Sequence, residues 1–367
     1  MKANNHCPGA ARSLCPTPVP ARCRIKMARI VSLLFASLLT APAAAEFNLY
    51  GQFHAGLSSI DGSDESLTTL SDERDGSRVG VTARQQIADG FAGFGAVELG
   101  FDLTDADDNR EPVFIRQAFV GLRTAFGDLR AGRMESAYQN AGGTAWDELT
   151  GTFLEQRRSG GMSGGRYGHN SFRGRHLEYR TIALAGLRVA GQLSVDDRSE
   201  DDGDYNIGVT YEEDAWELAA GYARRDDARS GENRNFKLGA RFDTGEAGIA
   251  YQYEDVRIRD DEGTVDPHTV ADTDDGVDLI RGVTIDSNMR HHMLALHQRY
   301  VYGTLWLAGG YQDASDSDFN LRSYTIAWIR EYQAGVRWYA GLQHQDRSSG
   351  YPDGRLNILS AGVQLRF

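Results

Sequence analysis

Cysteine is confined to Cys7, Cys15 and Cys23, all within the first 45 of the 367 residues. The chain beyond residue 45 therefore has no disulfide to hold it, and a disulfide-stapled scaffold is excluded. Proline is nearly as scarce, with only Pro112, Pro267 and Pro352 beyond residue 45. Beyond residue 45 no apolar run reaches the roughly 20 residues that a membrane-crossing helix needs. Positive charge is short too. The first 45 residues hold six bases (Lys2, Arg12, Arg22, Arg24, Lys26 and Arg29) and no acid, so removing them takes the formal charge from −13 to −19. So acidic a chain has no general attraction for nucleic acid, and no nucleic-acid partner is expected.

The leading segment carries the pattern of an export signal. Arg29 follows Met27, an apolar run extends from Ile30 to Leu39, and Ala43-Ala44-Ala45 precede Glu46. This predicts a signal peptide over 27–45 and a mature chain from Glu46. Residues 1–26, polar and proline-rich ahead of a complete signal, read as a non-native or extended leader, with translation starting at Met1 or Met27. An exported chain without a spanning helix, if it lives in a membrane, must be a closed barrel, because nothing else satisfies its backbone groups in lipid.

What is abundant is alternation. Phe47, Leu49, Phe53 and Leu57 share one parity, while Asn48, Gln52, His54 and Ser58 share the other. Val79, Val81 and Ile87 oppose Arg78, Thr82, Arg84 and Gln86; Val97, Leu99 and Phe101 oppose Glu98 and Asp102. The pattern continues through Leu177 and Tyr179, Tyr205 to Tyr211, Phe236 to Phe242, Leu294 and Leu296, and Val336 to Leu342. There are about sixteen such segments of roughly ten residues, the length a tilted strand needs to cross the hydrocarbon layer. Connections alternate between brief turns, as at Ala88-Asp89-Gly90, Thr244-Gly245 and Tyr302-Gly303, and long loops near 61–74, 104–112, 137–172, 197–203, 226–233, 259–288, 314–319 and 347–354. All three later prolines fall in those loops. Tyr50, Trp216, Tyr222, Trp328, Tyr332, Trp338 and Tyr339 lie toward strand ends, as interfacial aromatics do.

The stretch from Arg116 to Arg133, RQAFVGLRTAFGDLRAGR, places Ile115 and Phe119 at even spacing before the Phe126-Gly127-Asp128 turn, with Leu129 and Ala131 beyond it. RQAFVGL, then FG, a short strand and GR, resembles the motif ahead of the constriction loop in the general porins of Gram-negative outer membranes. The last residue, Phe367, in phase with Leu365, Val363 and Ala361, is similar to the C-terminal signature read by the barrel assembly machinery. The resemblance implies an all-β fold: a transmembrane antiparallel barrel of about sixteen strands over 46–367, its third long loop folded inward. It also implies an outer-membrane homotrimer, with first-strand and last-strand contacts between protomers and lipopolysaccharide around the loops, that passes small hydrophilic solutes and ions and holds no cofactor.

In that family, loop carboxylates face a ladder of bases on the wall. The resemblance assigns the wall to Arg78, Arg116, Arg133 and either Arg173 or Arg175, and the loop acids to Asp147, Glu148 and Glu155. One departure is Gln52, which follows Tyr50-Gly51 where many relatives carry a base. Acidic loop residues such as Asp201, Asp202, Asp204, Asp260 and Asp261 favour cations and the arginine wall favours anions.

Other patterns point elsewhere. The acidic loop 259–288 offers oxygen ligands but lacks calcium-loop spacing. Gly161-Met162-Ser163-Gly164-Gly165 spells a nucleophile motif without the strand and helix that motif requires. His291 and His292 fall on opposite faces of a strand, and His297 completes no ligand set. A barrel protease or phospholipase would need coherent acid, base or nucleophile groups; a structural or adhesive surface barrel would need a plugged lumen.

Overall fold

The computed structural model describes residues 45–62, 66–72, 76–103, 113–164, 169–195, 204–227, 231–259, 288–315, 320–332, 335–348 and 354–367. The leader, the signal segment up to residue 44, the three later prolines and most of the acidic loop 259–288 lie outside them.

The alternating segments become strands β1 (Glu46–Asp61), β2 (Ser66–Ser71), β3 (Arg78–Ala88), β4 (Phe91–Phe101), β5 (Val113–Thr124), β6 (Gly127–Glu135), β7 (Phe172–Thr181), β8 (Leu187–Ser194) and β9 (Tyr205–Glu213). They continue as β10 (Trp216–Asp227), β11 (Gly231–Asp243), β12 (Ala247–Arg259), β13 (Met289–Tyr300), β14 (Gly303–Ala314), β15 (Asn320–Glu331), β16 (Val336–Ser348) and β17 (Gly354–Arg366). From β3 onward each strand pairs antiparallel with the next, and β17 pairs back onto β1 from Gln52↔Arg366 to Asp61↔Asn357. The circuit from β3 round to β1 is therefore closed, which removes the edges an open sheet would have to protect. Of its seventeen strands, β2 pairs only with the upper part of β1, so sixteen form the barrel.

Strand alternation is resolved as expected on β1: Phe47, Leu49, Phe53 and Leu57 are exposed, while Gln52, His54 and Ser58 are buried. Exposed leucine, valine and phenylalanine on nearly every strand form the outward apolar band of a lipid-facing barrel.

Four readings of the sequence need correction. The 61–74 loop contains β2, because β3 starts only at Arg78 and the upper half of β1 would otherwise lack a partner. The 226–233 loop is mostly strand, since β10 runs to Asp227 and β11 starts at Gly231, pairing Asp227↔Gly231. Ile115 and Phe119 do not share a face. The β4–β5 register shifts so that Glu98 pairs with Gln117 while Leu99 pairs with Ile115, and the extra residue is Arg116. This bulge reverses the phase beyond it: Val120 and Leu122 face outward, and Phe119 turns its ring to Arg130, whose guanidinium sits 5.0 Å from the ring centroid. Finally, Tyr339 is not an interfacial aromatic. It is 1% exposed and its hydroxyl bonds His54 Nε2 at 3.0 Å inside the barrel.

The inside is not uniformly polar. Met293, Trp306, Ile329, Tyr339, Leu356 and Ile358 project from the wall into one buried cluster with Trp146, Leu149, Phe153, Leu154 and Met162 of the segment between β6 and β7. That apolar patch is the bed on which the third long loop lies. Each large side chain buried there contributes about 1.5–3 kcal/mol.

Candidate functional site

The loop leaves β6 at Glu135 and returns at Phe172, and its described residues include one short helix, α1 (Gly143–Trp146). Enclosed backbone groups need partners, and the wall supplies them. Gly143 N donates to Gln252 Oε1 at 2.7 Å, Gln343 Nε2 donates to the Leu154 carbonyl at 3.0 Å, and Arg337 donates to the Glu148 carbonyl. The densest attachment is Glu254 on β12. Its carboxylate accepts from Tyr138 Oη at 2.6 Å, from Ser163 N at 2.7 Å, from Ser163 Oγ at 2.5 Å and from Asn170 Nδ2 at 3.3 Å. Lys237 on β11 reaches the same knot, donating to Asn170 Oδ1 at 3.1 Å with Nζ 4.3 Å above the Tyr138 ring. Burial first, and then the Glu254 charge, push the Tyr138 phenol well above its usual range.

The carboxylates expected to face the pore are placed differently from one another. Asp147 is buried; Oδ1 accepts from Leu149 N at 3.0 Å and Oδ2 from Gln156 N at 2.7 Å, so it folds the loop onto itself. Burial nevertheless raises it to about 7. Glu155 is buried too, between Arg157 at 3.1 Å and Arg158 at 3.0 Å, and accepts from Gly151 N at 2.8 Å. Burial works to raise it, but the two guanidinium groups and the amide win and hold it at about 2. Only Glu148 keeps a substantial exposed surface, 3.5 Å from Arg337.

Among the expected wall bases, Arg116 and Arg78 share Glu98 at 2.8 and 3.8 Å. Arg133 donates Nε to the Ile115 and Arg116 carbonyls at 3.0 and 3.1 Å, fastening the bulge. Of the remaining pair, Arg173 is buried against His169 Nδ1 at 2.9 Å, while Arg175 is exposed at a left-handed backbone position, φ 58°. Burial and Arg173 keep His169 well below the usual histidine range.

A motif that sequence reasoning missed recurs among the described residues, one carboxylate under two arginines: Glu232 carries Arg224 and Arg234, Asp243 carries Arg241 and Arg299, and three further cases bury the carboxylate more deeply. Glu98 carries Arg78 and Arg116, Glu155 carries Arg157 and Arg158, and Glu178 carries Arg130 and Arg180. The three carboxylate side chains are 5%, 3% and 0% exposed, and Arg78, Arg157 and Arg180 above them are 30%, 24% and 31% exposed. Each trio sets two guanidinium groups against one carboxylate, with Glu135 a further carboxylate near Arg78, Arg116 and Arg130, and what it shows to solvent is guanidinium. Glu98, Glu178, Lys237 and Glu254 all sit on the polar phase of their strands, but parity alone does not separate them from ordinary lining residues.

The remaining motifs have structural places. Ser163 bonds Glu254, and the described residues immediately flanking it form neither a strand before it nor a helix after it. His291 bonds the Gly160 carbonyl at 3.2 Å inside, and His292 bonds Tyr251 Oη at 2.9 Å outside. Among the described residues no group of three or more histidine, cysteine or carboxylate side chains is placed to hold a metal.

The family model described as Gram-negative porin matches residues 31–350. The chain is 28% identical over 195 residues to the major outer membrane protein P.IB of Neisseria gonorrhoeae, a match covering 50% of this chain and 53% of that one. It thus spans about half the length of that curated relative. An anion-selective porin from Comamonas acidovorans superposes with a TM-score of 0.71 at 15% identity, covering 88% of this chain and 100% of that one. An in-vitro folded outer membrane protein of Vibrio cholerae, in its trimer form, superposes with a TM-score of 0.63 at 15% identity, covering 88% and 100%.

Proposed function

This chain belongs to the Gram-negative porin family, and from that premise we propose that it forms a water-filled channel through the outer membrane for passive diffusion of small hydrophilic solutes and ions. The observation that carries the reading is the closed barrel with a polar lining, crossed inside by a loop that wall residues on β11, β12, β15 and β16 hold in place. A sixteen-strand barrel is too wide for wall side chains to fill. The loop narrows it, and the solutes that pass are those small and polar enough for what remains.

The lining supports anions over cations despite the acidic chain. Of the loop acids, Glu155 is buried under arginines and Asp147 under backbone amides, Glu148 alone keeping exposed surface beside Arg337, and charge that a solute does not meet at close range counts for little in a screened lumen. The neighbour from Comamonas acidovorans is described as anion-selective, and the three clusters that show guanidinium to solvent favour the same sign here. Arg78 and Arg116 are proposed for the wall, with Arg157 and Arg158 facing the solute from the loop in place of Asp147 and Glu155.

Three copies fit the family, and one structural neighbour is described in a trimer form. Phe367 closes the barrel, exchanging backbone bonds with Gly51 at 3.0 and 3.2 Å, and turns an exposed ring outward, where assembly machinery and lipid or lipopolysaccharide would meet it. Residues 27–45 are proposed as the export signal, and no reaction or cofactor is assigned.

Current through the purified protein in a planar bilayer, with salt at two concentrations, tests the reading. Stepwise conductance in threes with an anion-directed reversal potential is expected. A folded barrel that stays silent would remove the channel, and a cation-directed potential would remove the charge argument.

A further inference from the structure

Gln52 occupies the first-strand position at which the family resemblance leads one to look for a base. Its register partner on β17 is Arg366. Arg366 Nε donates to Gln52 Oε1 at 3.1 Å, and Arg78 Nη2 approaches the same oxygen from β3 at 3.5 Å. Gln52 Nε2 donates to the Gly76 carbonyl at 2.8 Å, which fixes the amide with its oxygen toward the two arginines. On the far side Arg366 Nη2 donates to Gln364 Oε1 at 3.3 Å, and the register partner of Gln364 is Arg337. A slanted stripe of guanidinium groups thus runs Arg337, Arg366, Arg78, Arg116 over β16, β17, β3 and β5. Glu98 lies at Arg78 and Arg116, with Glu135 near enough to act on both, and Glu148 and Glu331 lie at Arg337, while the side-chain partners of Arg366 are the amide oxygens of Gln52 and Gln364.

We propose that Arg366 supplies the cation that the first strand lacks, and that Arg366 with Arg78, cradled by the amide oxygens of Gln52 and Gln364, is a resting site for small oxyanions crossing the channel. An amide oxygen orients a guanidinium as a carboxylate does but leaves its charge uncancelled. Arg366 is exposed, and its planar fork suits phosphate and carboxylate oxygens two at a time. This inference rests on the channel reading and goes beyond it by naming the residue and the solute chemistry.

The test moves the charge across the register pair. Arg366→Gln is expected to lower the anion-over-cation permeability ratio about threefold, and the added Gln52→Lys, whose ammonium can take the Gly76 carbonyl, to restore it. Arg366→Lys is expected to keep that ratio while weakening the block of chloride current by inorganic phosphate. Gln52→Lys alone raises anion preference, which keeps the idea testable if Arg366→Gln does not fold. An unchanged ratio in both single variants, in channels that conduct normally, overturns the site while leaving the channel intact; a wild-type barrel that never conducts overturns the channel itself. Phosphate block undiminished in Arg366→Lys overturns the oxyanion assignment.

Discussion

Replacing Glu254 by alanine is expected to release the constriction loop: larger unitary conductance, noisier open-channel current, and a higher size limit for neutral sugars in liposome swelling. Glu254 is wholly buried and gathers the hydroxyl of Tyr138, the amide and hydroxyl of Ser163 and the amide of Asn170. Removing it strands those donors at about 1–3 kcal/mol each where no water replaces it. It also leaves Lys237, 1% exposed, without its nearby counter-charge. The loop cannot be held against such a loss by its remaining polar attachments alone, although the apolar bed under Leu149, Phe153 and Leu154 is untouched. Glu254→Gln combined with Lys237→Met, which removes both charges and keeps an acceptor, should recover most of the wild-type conductance. If Glu254→Ala conducts and resists heat like the wild type, the latch is not what sets the aperture.

The latch also shows where sequence reading stops. Strand alternation is visible because a pleated strand has a period of two and a barrel needs one apolar and one polar face; the parities on β1, β13 and β17 can be read directly from residues such as Leu57 against Ser58. The bulge at Arg116 cannot, because it depends on which residue of β4 lies opposite. The bed under the loop has a faint signal. Met293, Trp306, Ile329 and Ile358 sit on phases that elsewhere carry polar residues, and a strand apolar on both faces is covered on both faces. The loop carboxylates read as pore-facing charges because composition does not say whether an acid serves solvent or backbone. For Asp147 there is one local clue: an aspartate two residues ahead of an amide in a threonine- and glycine-rich loop tends to fold back on it, and Leu149 N is that amide.

The pH dependence of stability should be biphasic, with the two loop carboxylates responsible for opposite limbs. Asp147 is raised to about 7 in the fold, chiefly by burial and against the pull of its two amide donors. An unfolded aspartate titrates near 3.9, so between about 4 and 7 the folded state binds the extra proton, and stability rises as pH falls through that window. At about 1.4 kcal/mol per unit the gain is at most about 4 kcal/mol. Glu155 is held at about 2 by Arg157 and Arg158, below the roughly 4.3 of an unfolded glutamate, so its contribution is complete above that value and is lost as pH falls toward 2. Thermal midpoints of the native barrel in detergent should therefore climb from about pH 8 to about pH 5 and drop steeply below about pH 4. Asp147→Asn, fixed in the uncharged form, is expected to flatten the first limb and to sit below the wild type near pH ~5, because its one amide oxygen can accept from only one of Leu149 N and Gln156 N. Glu155→Gln should flatten the second limb while lowering the midpoint at neutral pH, because it leaves two arginines sharing no counter-charge. Parallel profiles for the wild type and Asp147→Asn across the first limb would show that the buried aspartate is not the group being titrated.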